Sequence, residues 1–138
     1  MKSGVMPRKC GNMLDLVKMI EMMDILISDD MLMQGIASQS RFIVSCENET
    51  MNSVRLLAEA METLDGAKEG YRDEPTSKAM WAFKLALDEV IRLKKRFEFH
   101  RAEEFQAIEE LSRLQSKHAD SMPEFFSAQI YLCNCMTS

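Results

Sequence analysis

The chain has few of the residues that interrupt a helix. Its 138 residues include three prolines and five glycines, and most of these precede residue 71. No segment alternates apolar and polar residues as a half-buried strand does, and no internal repeat is present. We therefore predict an all-α protein whose second half runs in long helices.

Cysteines and long hydrophobic runs are also scarce. The four cysteines form no recognisable disulfide framework, and nothing near residue 1 resembles a secretory segment. The most apolar run, residues 13–27, is interrupted by four charged residues: Asp15, Lys18, Glu21 and Asp24. We therefore expect an intracellular protein, cytoplasmic or nuclear, with reduced thiols and no transmembrane segment.

Residues with catalytic potential are few. The two histidines, His100 and His118, lie in polar stretches without a nucleophile at a familiar spacing. Neighbouring carboxylates diverge on a helix instead of converging on one substrate atom. Cys133 and Cys135 lack the further ligands that a structural zinc ion needs. We expect no enzyme activity, no catalytic residues, no metal and no cofactor.

The charge of the chain is modest and uneven. A net charge of −5 argues against general binding to nucleic acids or anionic membranes. Residues 47–74 and 103–124 are acidic, whereas residues 1–12 and 78–101 are basic. Charge blocks of this kind steer a partner or pair one helix with another.

Apolar residues, by contrast, are abundant and recur at helical spacing. They make up 46% of the chain, and methionine alone occurs thirteen times. Steps of three and four residues predict helices over about 13–28, 30–46 and 49–68, of which the last two form one helix or two. Gly66 and Gly70 lie where the third helix should stop, and residues 70–78 are the clearest loop.

The core of these helices is expected along their stripes of apolar residues. In the first helix the stripe contains Met13, Leu16, Val17, Ile20, Met23 and Ile27. Further apolar residues beside it predict burial on more than one side. In the second segment Leu32, Ile36, Ile43 and Cys46 share a face, and in the third the stripe contains Met51, Val54, Leu57, Ala58, Met61 and Leu64.

A long helix or helix pair is predicted over residues 76–117, capped by Thr76 or Ser77. One apolar face contains Met80, Phe83, Leu87, Val90 and Ile91, and another contains Phe105, Ile108, Leu111 and Leu114. These faces are out of phase, which predicts a bend or a helix junction within residues 97–103. A last short helix should begin at Ser121, with Pro123 in its first turn, and bury Phe126, Ile130 and Cys133 or else Phe125 and Leu132.

Together these segments predict one domain. We expect a single-domain helical bundle of four to six helices over residues 13–135, with a flexible basic arm at 1–12 and a short tail at 136–138. The final residues formally fit a prenylation box, but Thr137 is not aliphatic and no polybasic run precedes it. We therefore expect no lipid anchor at Cys135.

Amphipathic surface without catalytic residues favours a protein–protein interaction function. We expect a noncatalytic adaptor or regulatory protein that binds another protein or itself, the latter as a homodimer through the first helix or the helix around Trp81. Methionine adapts to varied apolar partners, and tryptophan is enriched at interface hot spots. The candidate partner-binding residues are Trp81, Met19, Met22, Met23 and Phe99.

The basic segment 84–101 supports a second hypothesis, an RNA- or DNA-associated regulator. Its cations would neutralise phosphates while Phe97 or Phe99 stacks on a base. The candidate nucleic-acid-binding residues are Lys84, Arg92, Lys95, Arg96 and Arg101. A solvated helix face is the alternative, because acidic residues precede several of these arginines by three or four positions.

Overall fold

Two long helices account for nearly all of the chain that the structure describes. A computed structural model describes residues 13–136. Helix α1 runs Met13–Asp73 and helix α2 runs Ser77–Met136. The all-α prediction is confirmed. The predicted basic arm at residues 1–12 and the tail residues 137 and 138 lie outside the described residues.

The link between the helices is the loop that the sequence predicts around Pro75. The amide of Glu74 donates to the carbonyl of Gly70 at 3.0 Å and so completes the last turn of α1. The hydroxyl of Thr76 accepts a hydrogen bond from the amide of Ala79 at 3.1 Å. Thr76 is therefore the N-cap of α2, because its side chain satisfies a first-turn amide that has no partner within the helix.

The chain divides into two units, each containing a segment of both helices. The hairpin unit comprises Ser40–Glu109, and the terminal unit comprises Met1–Gln39 and Glu110–Ser138. In the hairpin unit the short loop makes the two helical segments antiparallel. Each unit is held together by a seam, which we define as the buried and half-buried positions along which its two segments meet.

Seam positions of the hairpin unit recur in alternating steps of three and four residues, the pattern of a coiled coil. On α1 they are Ile43, Cys46, Thr50, Ser53, Leu57, Ala60, Leu64, Ala67 and Tyr71, and on α2 they are Ala79, Phe83, Ala86, Val90, Leu93, Phe97, His100, Glu104 and Ala107. Several of the most buried members are small: Ser53 is 2% exposed and Ala107 is 3% exposed. Small side chains let two helices approach closely.

The terminal unit follows the same pattern. Its α2 seam positions are Leu111, Leu114, His118, Ser121, Phe125, Ala128, Leu132 and Cys135. They face half-buried residues of α1 that include Met22, Ile25, Asp29, Leu32 and Ile36. Ala128 is completely buried.

The expected number of helices is wrong, since residues 13–136 contain two helices and not four to six. Gly66 and Gly70 do not end a helix, because a single exposed glycine costs a helix only about 1 kcal/mol. Residues 97–103 contain no junction, and Pro123 lies inside α2 instead of beginning a new helix. Packing along the seam offsets these local penalties.

The predicted apolar stripes do not all face the seam. In the first segment Met13, Val17, Ile20, Met23 and Ile27 are exposed, with exposed fractions from 46% to 73%. The face of Leu32, Ile36, Ile43 and Cys46 is confirmed as a seam face, and at the end of α2 Phe125 and Leu132 are the more buried set. No described helix is both long and apolar enough to cross a membrane.

Candidate functional site

One flank of the hairpin unit presents apolar side chains to solvent. A groove of about 640 Å³ runs beside the seam between the two helices. Its apolar lining is Leu57, Met61, Val90, Phe97, Ala102 and Phe105. We call these residues, together with Val54 and Ile108 of an adjoining groove, the apolar flank. Phe97, Arg101 and Phe105 line both grooves, so the flank is continuous.

The apolar flank follows from the positions next to the seam on each helix. Val54 and Met61 each follow a seam residue of α1, namely Ser53 and Ala60. Those seam residues are small, so the apolar surface at these positions belongs to Val54 and Met61, which lie beside the seam and remain exposed. Met61 is 53% exposed and Phe105 is 63% exposed. Large apolar side chains at such exposure form the kind of patch that marks interaction sites.

The half-buried Glu104 lines the adjoining groove. Three charged residues line the larger groove of the apolar flank: Lys94, Glu98 and Arg101. All three are exposed, and none has an ion-pair partner among residues 13–136. Glu98 precedes Arg101 by three positions, as Glu89 precedes Arg92. Glu89 and Arg92 form an ion pair, whereas Glu98 and Arg101 do not.

The opposite flank of the hairpin unit is polar. Glu89 accepts two hydrogen bonds from the guanidinium of Arg92, at 2.7 and 2.8 Å. These bonds lower the pKa of Glu89 and raise the pKa of Arg92, because each stabilises the charged form of its partner. A smaller groove on this flank is lined by the polar residues Glu59, Thr63 and Glu89 and by the apolar residues Leu56, Ala60, Ala86 and Leu93. Among the described residues, the larger groove with the aromatic side chains Phe97 and Phe105 therefore lies on the apolar flank.

A polar layer crosses the seam of the hairpin unit at His100. The ring nitrogens of His100 lie 3.9 Å from a carboxylate oxygen of Glu49 and 3.5 Å from one of Glu103. The imidazole is 15% exposed, and its Nδ1 has no hydrogen-bond partner among the described residues. His100 therefore occupies a core position beside carboxylates and does not line an open cleft.

The thiol of Cys46 lies near the same layer. Burial raises its pKa, and the nearby carboxylates of Glu103, Glu104 and Glu49 raise it further. A raised pKa leaves the thiol protonated at neutral pH, which is the less nucleophilic form. Cys46 is thus a small residue buried in the seam.

The terminal unit contains a second polar contact across its seam. Nε2 of His118 lies 3.2 Å from Oδ1 of Asp29. The adjoining depression, of about 510 Å³, is lined by both polar and apolar side chains, among them Lys117, Glu124 and Phe125. Elsewhere in the terminal unit, the ammonium group of Lys18 lies 4.9 Å from the centre of the Tyr131 ring, a cation–π contact.

The predicted partner-binding residues do not form one patch. Trp81 and Phe99 are about 60% exposed on α2. Eighteen residues separate them along the helix, a rise of about 27 Å. Met19 and Met22 are half-buried in the terminal unit, where Met23 is exposed.

The predicted nucleic-acid-binding residues are all exposed on α2, but their environments differ. Arg92 is engaged by Glu89, and the ammonium group of Lys84 lies 5.8 Å from the centre of the Trp81 ring. Arg101 lies on the apolar flank, whereas Lys95 and Arg96 lie away from the groove linings. These five residues are thus spread over different sides of the helix.

Sequence analysis did not identify the apolar flank, because it assigned three of its residues to the core. Met61, Phe105 and Ile108 belong to predicted buried stripes, yet all three are exposed. The available signal was the series of small residues Ser53, Ala60, Ala86 and Ala107, spaced by multiples of seven on each helix.

No known protein family, no curated protein and no solved structure matches this chain.

Proposed function

We propose that this protein is a noncatalytic helical interaction protein that binds a helical protein segment on its apolar flank. The observation that carries the proposal is the continuous groove between Leu57 and Phe105, open to solvent and lined by apolar side chains. An amphipathic helix docks in such a groove by inserting side chains spaced at three and four residues.

The composition of the groove supports this function. Met61 and the aromatic rings of Phe97 and Phe105 supply the adaptable and the large apolar contacts that are enriched at protein interfaces. Lys94, Glu98 and Arg101 supply a charged rim, which selects a partner by complementary charge.

Site-specific crosslinking tests the proposal in the intact chain. A photo-crosslinking amino acid replaces Phe105 on the apolar flank or, as the control, Phe126, which is 51% exposed in the terminal unit. We expect position 105 to give a defined protein adduct, identified by mass spectrometry, and we expect Met61→Glu to abolish it. Position 126 should not give that adduct.

Two results would contradict the proposed function. One is the absence of any protein adduct from position 105. The other is an adduct from position 105 that is unchanged by Met61→Glu, since a charge in the groove should prevent apolar docking.

A further inference from the structure

The exposed surface of α2 on the apolar flank has a symmetric arrangement. Six residues form a line along the helix, in steps of three, four, three, four and three: Ile91, Lys94, Glu98, Arg101, Phe105 and Ile108. We call this line the α2 stripe. Its steps read the same in both directions, and its midpoint lies between Glu98 and Arg101.

The two halves of the α2 stripe are complementary. If two copies of α2 lie antiparallel about that midpoint, Glu98 of each copy faces Arg101 of the other. Lys94 then faces the Phe105 ring, a cation–π pairing, and Ile91 faces Ile108. Ile91 and Ile108 are 45% and 44% exposed, so both are available for an apolar contact.

The unpaired state of Glu98 and Arg101 supports an intermolecular partner. Glu-x-x-Arg spacing also occurs at Glu69, Glu89 and Glu110, and each of those carboxylates binds the arginine three residues later. Glu98 and Arg101 have no ion-pair partner among residues 13–136. Their charges therefore remain available to a second molecule, on the flank that also carries the apolar groove.

The number of helical segments also fits this arrangement. Two hairpin units supply four helical segments, as in a four-helix bundle.

We infer that a second copy of the chain occupies the apolar flank, with the two α2 stripes antiparallel and Glu98 of each copy paired with Arg101 of the other. The inference rests on the proposed function and identifies its partner. The dimer is two-fold symmetric and closed, because each stripe is used once by each copy.

Charge reversal in the full chain tests this pairing. By light scattering, the purified chain should have twice its mass of 15.9 kDa. Glu98→Arg opposes arginine to arginine, and Arg101→Glu opposes glutamate to glutamate. Each change should raise the dimer Kd by about tenfold or more, since two contacts change together by symmetry. The double variant Glu98→Arg/Arg101→Glu should dimerise again.

Mixing the two single variants tests the pairing more specifically than measuring each variant alone. The Glu98→Arg chain carries two arginines at the contact and the Arg101→Glu chain carries two glutamates, so the mixture should form a heterodimer at concentrations at which each variant alone is monomeric. A misfolded variant would not be rescued in this way. As the control, Glu89→Arg on the polar flank should leave the dimer unchanged.

Three outcomes would overturn the inference: a monomeric natural chain at high concentration, single variants that dimerise as tightly as the natural chain, or variants that do not combine on mixing. A monomeric chain whose position 105 still crosslinks to another protein would reject the second copy and leave the proposed function standing. A dimer that persists in both single variants would place self-association elsewhere on the chain.

Discussion

Nε2 of His118 lies 3.2 Å from Oδ1 of Asp29 inside the seam of the terminal unit. The two side chains are 24% and 12% exposed, respectively. Oδ1 of Asp29 has no aligned hydrogen-bond partner among the described residues, so the contact rests on proximity. Each group therefore offsets part of the cost of removing the other from water.

Removing either member of this pair should destabilise the protein. We expect Asp29→Ala and His118→Ala each to lower the free energy of unfolding by about 1–3 kcal/mol, because the remaining polar group stays buried. The double variant Asp29→Leu/His118→Leu should cost less than the sum of the two single variants. Urea unfolding measures these values, with Asp30→Ala, at an exposed neighbour, as the control. Single variants no more destabilised than the control would contradict this role of the pair.

The fully buried alanine of the terminal unit should not accept a larger side chain. Ala128 is 0% exposed, whereas Ala119 is exposed on the same helix. We expect Ala128→Leu to lower the free energy of unfolding by about 1–3 kcal/mol because it forces the two helical segments apart. Ala119→Leu should change stability by less than about 0.5 kcal/mol. Equal effects of the two substitutions in thermal or urea unfolding would show that the helices do not approach closely at Ala128.

Pro123 provides a test of helix continuity. Because it lies inside α2, it lacks the amide that would donate to the carbonyl four residues earlier. We expect Pro123→Ala to raise the free energy of unfolding by up to about 3 kcal/mol. Pro75→Ala in the loop should give no such gain. If a helix began at Ser121, proline would be favoured in its first turn and its replacement would not stabilise the protein.

The reactivity of the thiols should follow their burial. Cys46 is buried with a raised pKa, and Cys133 is exposed. In a Cys10→Ser background, we expect iodoacetamide at pH 8 to modify Cys133 well before Cys46 in the folded protein. Peptide mass mapping over time measures both rates. Equal rates would show that Cys46 is not protected by the seam.

The same pKa shift predicts a loss of stability at high pH. The unfolded Cys46 thiol ionises around 9.0, whereas the folded thiol ionises only above that value. Ionisation therefore favours the unfolded state as the pH rises beyond about 9. Between pH 8 and pH 10, the stability of Cys46→Ala should fall less than that of the natural chain. A parallel decline in both proteins would contradict this assignment.

The sequence was sufficient to predict the helical class and the loop, because both depend on local chemistry. Pro75 disfavours helix at the residue before it, and Thr76 caps the helix after it. The face of Ile36, Ile43 and Cys46 was also predictable, since its residues are apolar and are the ones that pack.

The seam of α2 could not be predicted from the size of apolar side chains. Its inner positions include the polar residues His100 and Glu104 and the small residues Ala86 and Ala107. Larger apolar residues such as Phe105 lie beside them and remain exposed. The apparent change of phase near residue 100 therefore reflects which positions carry large side chains and not a break in the helix. The apolar flank was missed for the same reason.

Residues of α1 that contact residues of α2 are farther apart in sequence the farther they lie from the loop at residues 74–76. Tyr71 and Met80 lie on either side of this loop, so pairing near them requires little chain closure. Lys18 and Tyr131 are separated by almost the whole described chain, and on its own their contact would have a large entropic cost. If the segments pair first beside the loop, each later layer closes only a short additional length of chain. Folding of the hairpin unit is therefore expected to proceed as a zipper, in which the pairs beside the loop form first and the layer at Glu49 and His100 forms last and opens first.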